Sequence, residues 1–138
     1  MNRILAIVCF LLSFSAAAEM SFLEEMQIGR YILIGKAVDS DVTYHGKVEI
    51  FAKDGKLAVT REIDGTSITG SAAMEPALHG DAKVLRIRFS ENGRQYEETC
   101  LFVPDLDNYS RISCYLYEPG VSTRTPGLEA LFFDHAAD

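Results

Sequence analysis

Two hydrophobic patterns divide the chain. Residues 4 to 14 are an apolar run interrupted only by Ser13, whereas from Gly29 onward apolar and polar positions alternate in short runs of seven to ten residues. A period of two over such lengths is the signature of half-buried strands. The runs fall at 30–36, 43–52, 56–63, 66–73, 83–90, 94–103, 109–117 and 127–133, which predicts eight strands. Asp54-Gly55, Asp64-Gly65 and Asn92-Gly93 punctuate them, and these dipeptides tolerate the positive φ angles of tight hairpin turns. Residues 104 to 108 close a further hairpin. No intervening segment is long enough for a crossover helix, so the expected sheet is antiparallel. Eight sequential strands must hide two sheet edges. Closing into an up-and-down barrel does so most completely, with a two-sheet sandwich as the alternative.

Turn positions also predict register. A turn at Asn92-Gly93 pairs Phe89 with Tyr96, Ile87 with Glu98 and Leu85 with Cys100, leaving Arg88 and Glu97 opposed on the other face. Continuing across the next hairpin pairs Cys100 with Cys114, at a separation that a disulfide accepts. A turn at Asp64-Gly65 sets Arg61 against Ile68. A four-residue connection over 52–55 then pairs Leu57 with Ile50, Val59 with Val48 and Arg61 with Gly46. Arg61 therefore shares a face with Val48, Ile50, Leu57, Val59 and Ile68.

The N-terminal run changes how composition is read. Arg3, the apolar stretch and Ala16-Ala17-Ala18 form the pattern of a secretory signal peptide over residues 1–18, and the stretch is short for a membrane span. Residues 19–28 are then a lead-in, where Ser21 and Glu24 have capping-box spacing, and 29–138 the barrel. The full chain of 138 residues has a net charge of -7. Without Arg3, 12 basic side chains stand against 20 acidic ones, a net of -8. That sign and the scatter of the basic residues argue against nucleic-acid binding. Of the 3 cysteines only Cys100 and Cys114 remain, an even pair expected to be oxidised in a periplasmic or secreted protein.

Candidate chemistry is sparse. A charge on an apolar-parity face needs a partner, and Glu98, on the same kind of face, is the one the sequence offers Arg61. The pair is either a structural ion pair or a polar anchor for a small anionic or polar ligand. Tyr44 and Tyr96 join Arg61 and Glu98 as candidate ligand contacts. Glu75, His79 and Asp81 share the expected loop at 74–82, but lack a defined metal-ligand spacing, so no metal and no cofactor is expected. Glu97 and Glu98 point to opposite faces and do not form a catalytic carboxylate pair. Metalloprotease, nucleotide-loop and serine-hydrolase motifs do not occur. Asn108-Tyr109-Ser110 has the form of a glycosylation sequon.

The stretches Gly29 to Gly35, Asp41 to Ile50 and Leu57 to Arg61, followed by Thr66 to Gly70, resemble a strand-and-turn pattern of small exported bacterial proteins of lipocalin-like or avidin-like (calycin-like) build. The resemblance covers about half of the chain beyond residue 18. It implies a barrel and no established catalytic activity. Arg61 stands where the pattern carries Trp, so an aromatic ligand contact is not carried over to that position.

Two functions follow as expectations. One is a non-catalytic exported binding module that takes a small molecule at the barrel mouth. The other is an inhibitor or immunity factor for a basic cell-wall-degrading enzyme such as lysozyme, using the acidic surface and loops at 74–82 and 118–126.

Overall fold

The computed structural model describes residues 19–104 and 110–137. The expected signal peptide, the connection at 105–108 and the sequon at Asn108 lie outside them. Eight strands follow one another: β1 (Gly29–Lys36), β2 (Thr43–Lys53), β3 (Lys56–Ile63), β4 (Thr66–Ala77), β5 (Ala82–Glu91), β6 (Arg94–Pro104), β7 (Ser110–Tyr117) and β8 (Gly127–Phe133). Every neighbour is antiparallel, and β8 pairs back onto β1 to close a barrel. Closure leaves no sheet edge to protect, which is what the sandwich alternative would have lacked.

Three two-residue turns fix much of the register. Asp54 and Gly55 have φ of 52° and 72°, Asp64 and Gly65 50° and 76°, and Asn92 and Gly93 50° and 76°. Paired positive φ values match the right-handed twist of the strands they join. The expected pairings of β3 with β4, β5 with β6 and β6 with β7 are all present. The expected pairing of β2 with β3 is corrected by two positions. Val48 faces Arg61, Ile50 faces Val59 and Ala52 faces Leu57, because Asp54-Gly55 alone makes the turn and the ladder runs on through Lys53 and Lys56. The inward face is unchanged, since a shift of two preserves parity.

The inward residues Tyr31, Leu33, Val48, Ile50, Leu57, Val59, Leu85, Ile87, Ile112 and Leu131 form one continuous buried core. Cys100 and Cys114, directly paired, are joined by a disulfide with their Cα atoms 4.0 Å apart. The lead-in contains a short helix, α1 (Phe22–Glu25), whose capping box is formed: Glu24 N donates to Ser21 Oγ at 3.4 Å, and Ser21 N to Glu24 Oε2 at 2.9 Å. Its four residues are a smaller helix than the lead-in allowed. By topology this segment enters at the end of the barrel opposite the 37–42, 64–65, 92–93 and 118–126 connections. There Met20 packs against the core, and Tyr31 Oη donates to the Gln27 carbonyl at 2.8 Å.

Candidate functional site

Along three strands the inward residue changes from apolar to charged on approaching the other end. After Leu57 and Val59, β3 presents Arg61; before Cys100, β6 presents Glu98; before Leu131, β8 presents Glu129. The three side chains meet inside the barrel, only 2%, 0% and 3% exposed as residues. Arg61 grips Glu129 end-on, Nη1 to Oε2 at 2.8 Å and Nη2 to Oε1 at 2.6 Å, and its Nη1 also donates to Glu98 Oε1 at 2.5 Å. Forked, charge-assisted bonds of this kind are the strong ones. The guanidinium carbon lies 4.2 Å from the Phe89 ring centroid, adding a cation–π contact.

Tyr44 reaches this cluster from β2, its hydroxyl donating to Glu129 Oε1. Between them lies β1, where Gly35 pairs with Tyr44 on one side and Glu129 on the other. A Cβ at Gly35 would collide with the Tyr44 ring. Absence of a side chain at Gly35 is thus what lets the phenol cross one strand to its partner.

One arginine stands among two carboxyl groups, whose acidities are shifted in opposite directions. Burial, reinforced by the neighbouring Glu129 charge, raises Glu98 well above the ordinary carboxylate range despite the pull of Arg61. Burial also acts on Glu129, but the Arg61 hydrogen bonds and charge outweigh it and hold that group below its ordinary value. Burial and the Glu129 charge push the Tyr44 phenol upward. The two carboxyl groups are thus driven apart, Glu98 toward its protonated form and Glu129 toward the carboxylate that pairs with Arg61. Glu98 Oε2 lies 3.7 Å from Cys100 Sγ, so the acid rests against the disulfide.

Above the cluster the barrel opens. A cavity of about 630 Å³ has Arg61 and Tyr44 in its lining, with walls from Val38, Val42, Ile63, Phe89, Tyr96 and Leu116. Tyr96 stacks on Phe89, centroids 5.4 Å apart and planes at 21°, as a wall residue outside the polar cluster. Asp64, Glu91, Glu118 and Arg94 also line the cavity, with Arg94 Nη1 3.4 Å from Glu118 Oε1. An outer-wall concavity of about 710 Å³ is lined by Ile34, Val84, Leu101 and Leu128, with Lys36 and Glu129 as its charged residues; the mouth is the stronger site because its lining includes Arg61, whose Nε is buried without a partner.

The structure brings Arg61, Glu98 and Tyr44 together and sets Tyr96 beside them. Sequence reasoning missed Glu129, although it alternates with Leu131 just as Glu98 alternates with Cys100, so the same parity argument could have found it. The expected pairing of Arg61 with Gly46 is also corrected, since Gly46 faces Ile63 and Arg61 faces Val48. Residues 74–77 belong to β4, and Glu75 is held by Arg88 through bonds of 2.5 and 3.0 Å. The expected loop at 74–82 is therefore mostly strand, with its connection reduced to 78–81. Glu97 lies on the outer face, bonded to Arg88 at 2.6 Å and Arg86 at 3.2 Å. No family model matches the chain, and no curated protein matches it either.

Proposed function

We propose that the protein is a non-catalytic binding barrel, periplasmic or secreted, that takes a small ligand in its mouth cavity. The observation that carries this reading is the roughly 630 Å³ mouth cavity, with apolar walls and the buried Arg61 cluster in its lining. Pockets of about 300–1,000 Å³ with apolar walls and a few fixed polar groups are the usual form of small-ligand sites. Arg61 and Glu129 form a forked ion pair and burial favours the protonated form of Glu98, so the cluster offers an anchor more readily than a general base. The disulfide, together with the absence of a membrane-crossing helix among the described residues, is compatible with export. The closed eight-strand meander and open mouth support kinship with lipocalin-like or avidin-like barrels.

The neutral fluorescent probe N-phenyl-1-naphthylamine tests the reading. Saturable binding is expected, with loss in Val121→Trp, which places an indole in the cavity from a residue 55% exposed. Absence of saturable binding overturns the proposal. The inhibitor alternative draws less support, because 74–77 are strand and Asp39 Oδ1 pins the 118–126 segment by accepting from Arg124 N at 2.7 Å and Thr125 N at 2.8 Å. Inhibition in a lysozyme assay would favour that alternative; unchanged turnover at excess protein fits the cavity reading.

A further inference from the structure

The donors of Arg61 are unevenly used. A guanidinium has five N–H donors, and three of them go to Glu98 and Glu129. Nε is buried without a partner. Because Glu129 occupies the end between Nη1 and Nη2, the Nε–H and the second Nη2–H are left side by side along one edge of the plane. A buried donor without an acceptor is costly, by the same measure that makes most buried donors paired. Arg61 belongs to the cavity lining, so a group that enters the cavity approaches the side chain that lacks an acceptor.

Charge then selects the kind of acceptor. Glu129 already balances Arg61, and a carboxylate ligand on the free edge would crowd a third acid group around one guanidinium in a site shielded from water. On its way in, the anion would also pass Asp64, Glu91 and Glu118 with Arg94 as their nearby cation in the lining. An ammonium group has donors but no acceptor for Nε–H.

Resting on the small-ligand reading above, we infer that the mouth cavity takes an uncharged apolar molecule bearing a carbonyl-type oxygen, which accepts from the free edge of Arg61 while its body packs on Phe89, Tyr96 and Leu116. A carbonyl oxygen has two lone pairs and suits the two adjacent donors without bringing charge. The polar half of the ligand goes to the floor and the apolar half to the walls.

Displacement of N-phenyl-1-naphthylamine from the full-length protein by 2-naphthamide, 2-naphthoate and naphthalene provides the test. These share one ring system and differ in what they offer Arg61. The carboxamide is expected to displace the probe at least tenfold more effectively than either other compound. In Arg61→Lys, which keeps the charge and loses the fork, its advantage over naphthalene should shrink to about threefold or less. Equal displacement by all three compounds, or preference for the naphthoate, overturns the ligand class while leaving the cavity reading intact. Failure of the probe itself to bind overturns both, whereas failure of every compound to displace a saturably bound probe overturns the ligand class alone. If Arg61→Lys does not fold, the wild-type ranking alone decides.

Discussion

The two ends of the barrel are built from the same strands and the same inward parity, yet they solve different problems. At the closed end the inward positions are apolar, Tyr31 is met edge-on by Phe133 at 5.8 Å and 86°, and the lead-in supplies Met20 and Gln27. At the open end the inward positions include Arg61, Glu98 and Glu129, with a cavity beyond them. The polar layer therefore marks an internal boundary between a packed half and a receptive half. Packing explains the first, and mutual charge compensation with one donor edge left over explains the second. The difference shows that burial alone does not identify a core: Glu98 at 0% exposure is as buried as Leu33, but it serves a different end.

Substitutions can break this contrast. The largest effect is expected from Arg61→Met, which leaves two carboxyl groups buried without their cation and should cost about 3–5 kcal/mol in urea unfolding. Both carboxyl groups would then have raised values in the folded state, a contribution present at low pH and lost as pH rises. The variant should accordingly be more stable at pH 5 than at pH 8; a loss below about 1 kcal/mol would argue against a strained charge balance at the open end.

Leu33→Ala is the closed-end counterpart. A cavity cut into the packed half should cost about 2–5 kcal/mol while leaving the affinity for N-phenyl-1-naphthylamine unchanged by equilibrium titration; a large affinity change would show that the two halves are not separable. Tyr44→Phe removes a hydrogen bond to a charged acceptor and should cost about 1.5–3 kcal/mol by chemical denaturation, with little loss if the phenol is a bystander over Gly35.

Glu98→Gln is expected to change stability least, by under about 1 kcal/mol at mildly acidic pH, because a carboxamide has nearly the shape of the protonated acid. Its signature is the pH profile. A raised Glu98 stabilises below its ordinary range and loses that contribution as pH rises through its folded value, so the variant should hold its stability over the pH range above the ordinary carboxylate value where wild type declines. The decline on the acid side, set by the lowered Glu129, should persist in both. Parallel profiles above the ordinary carboxylate value would mean that Glu98 is ionised throughout.

Much of the barrel was legible because turns and parity are local properties. Asp64-Gly65 and Asn92-Gly93 fixed their pairings, and Cys100 and Cys114 met as their spacing requires. On β1 and β8 the alternation was blurred, since Ile32, Ile34, Leu128 and Phe132 are apolar yet exposed. The length of β4 was also hidden, because Glu75 and Pro76 read as loop residues until Arg88 on the neighbouring strand is seen to hold the glutamate. Of the site, Arg61 and Glu98 were visible as charges at inward positions. The cavity was not, because its mouth depends on contacts such as Asp39 with Arg124 and Thr125, which join segments far apart in sequence.

The slip of two positions in the expected β2–β3 pairing points to a further role of the charge cluster. Inward apolar side chains stay inward when a strand slides by two residues, so the hydrophobic effect discriminates poorly between such alignments. An ion cluster does not share that tolerance. Sliding β3 by two positions would carry Arg61 roughly 6.6 Å along the strand direction, far enough to part it from both Glu98 and Glu129 and strand three ionisable groups in the interior. The cluster thus acts as a vernier on strand alignment, correcting the one kind of error that greasy side chains cannot detect.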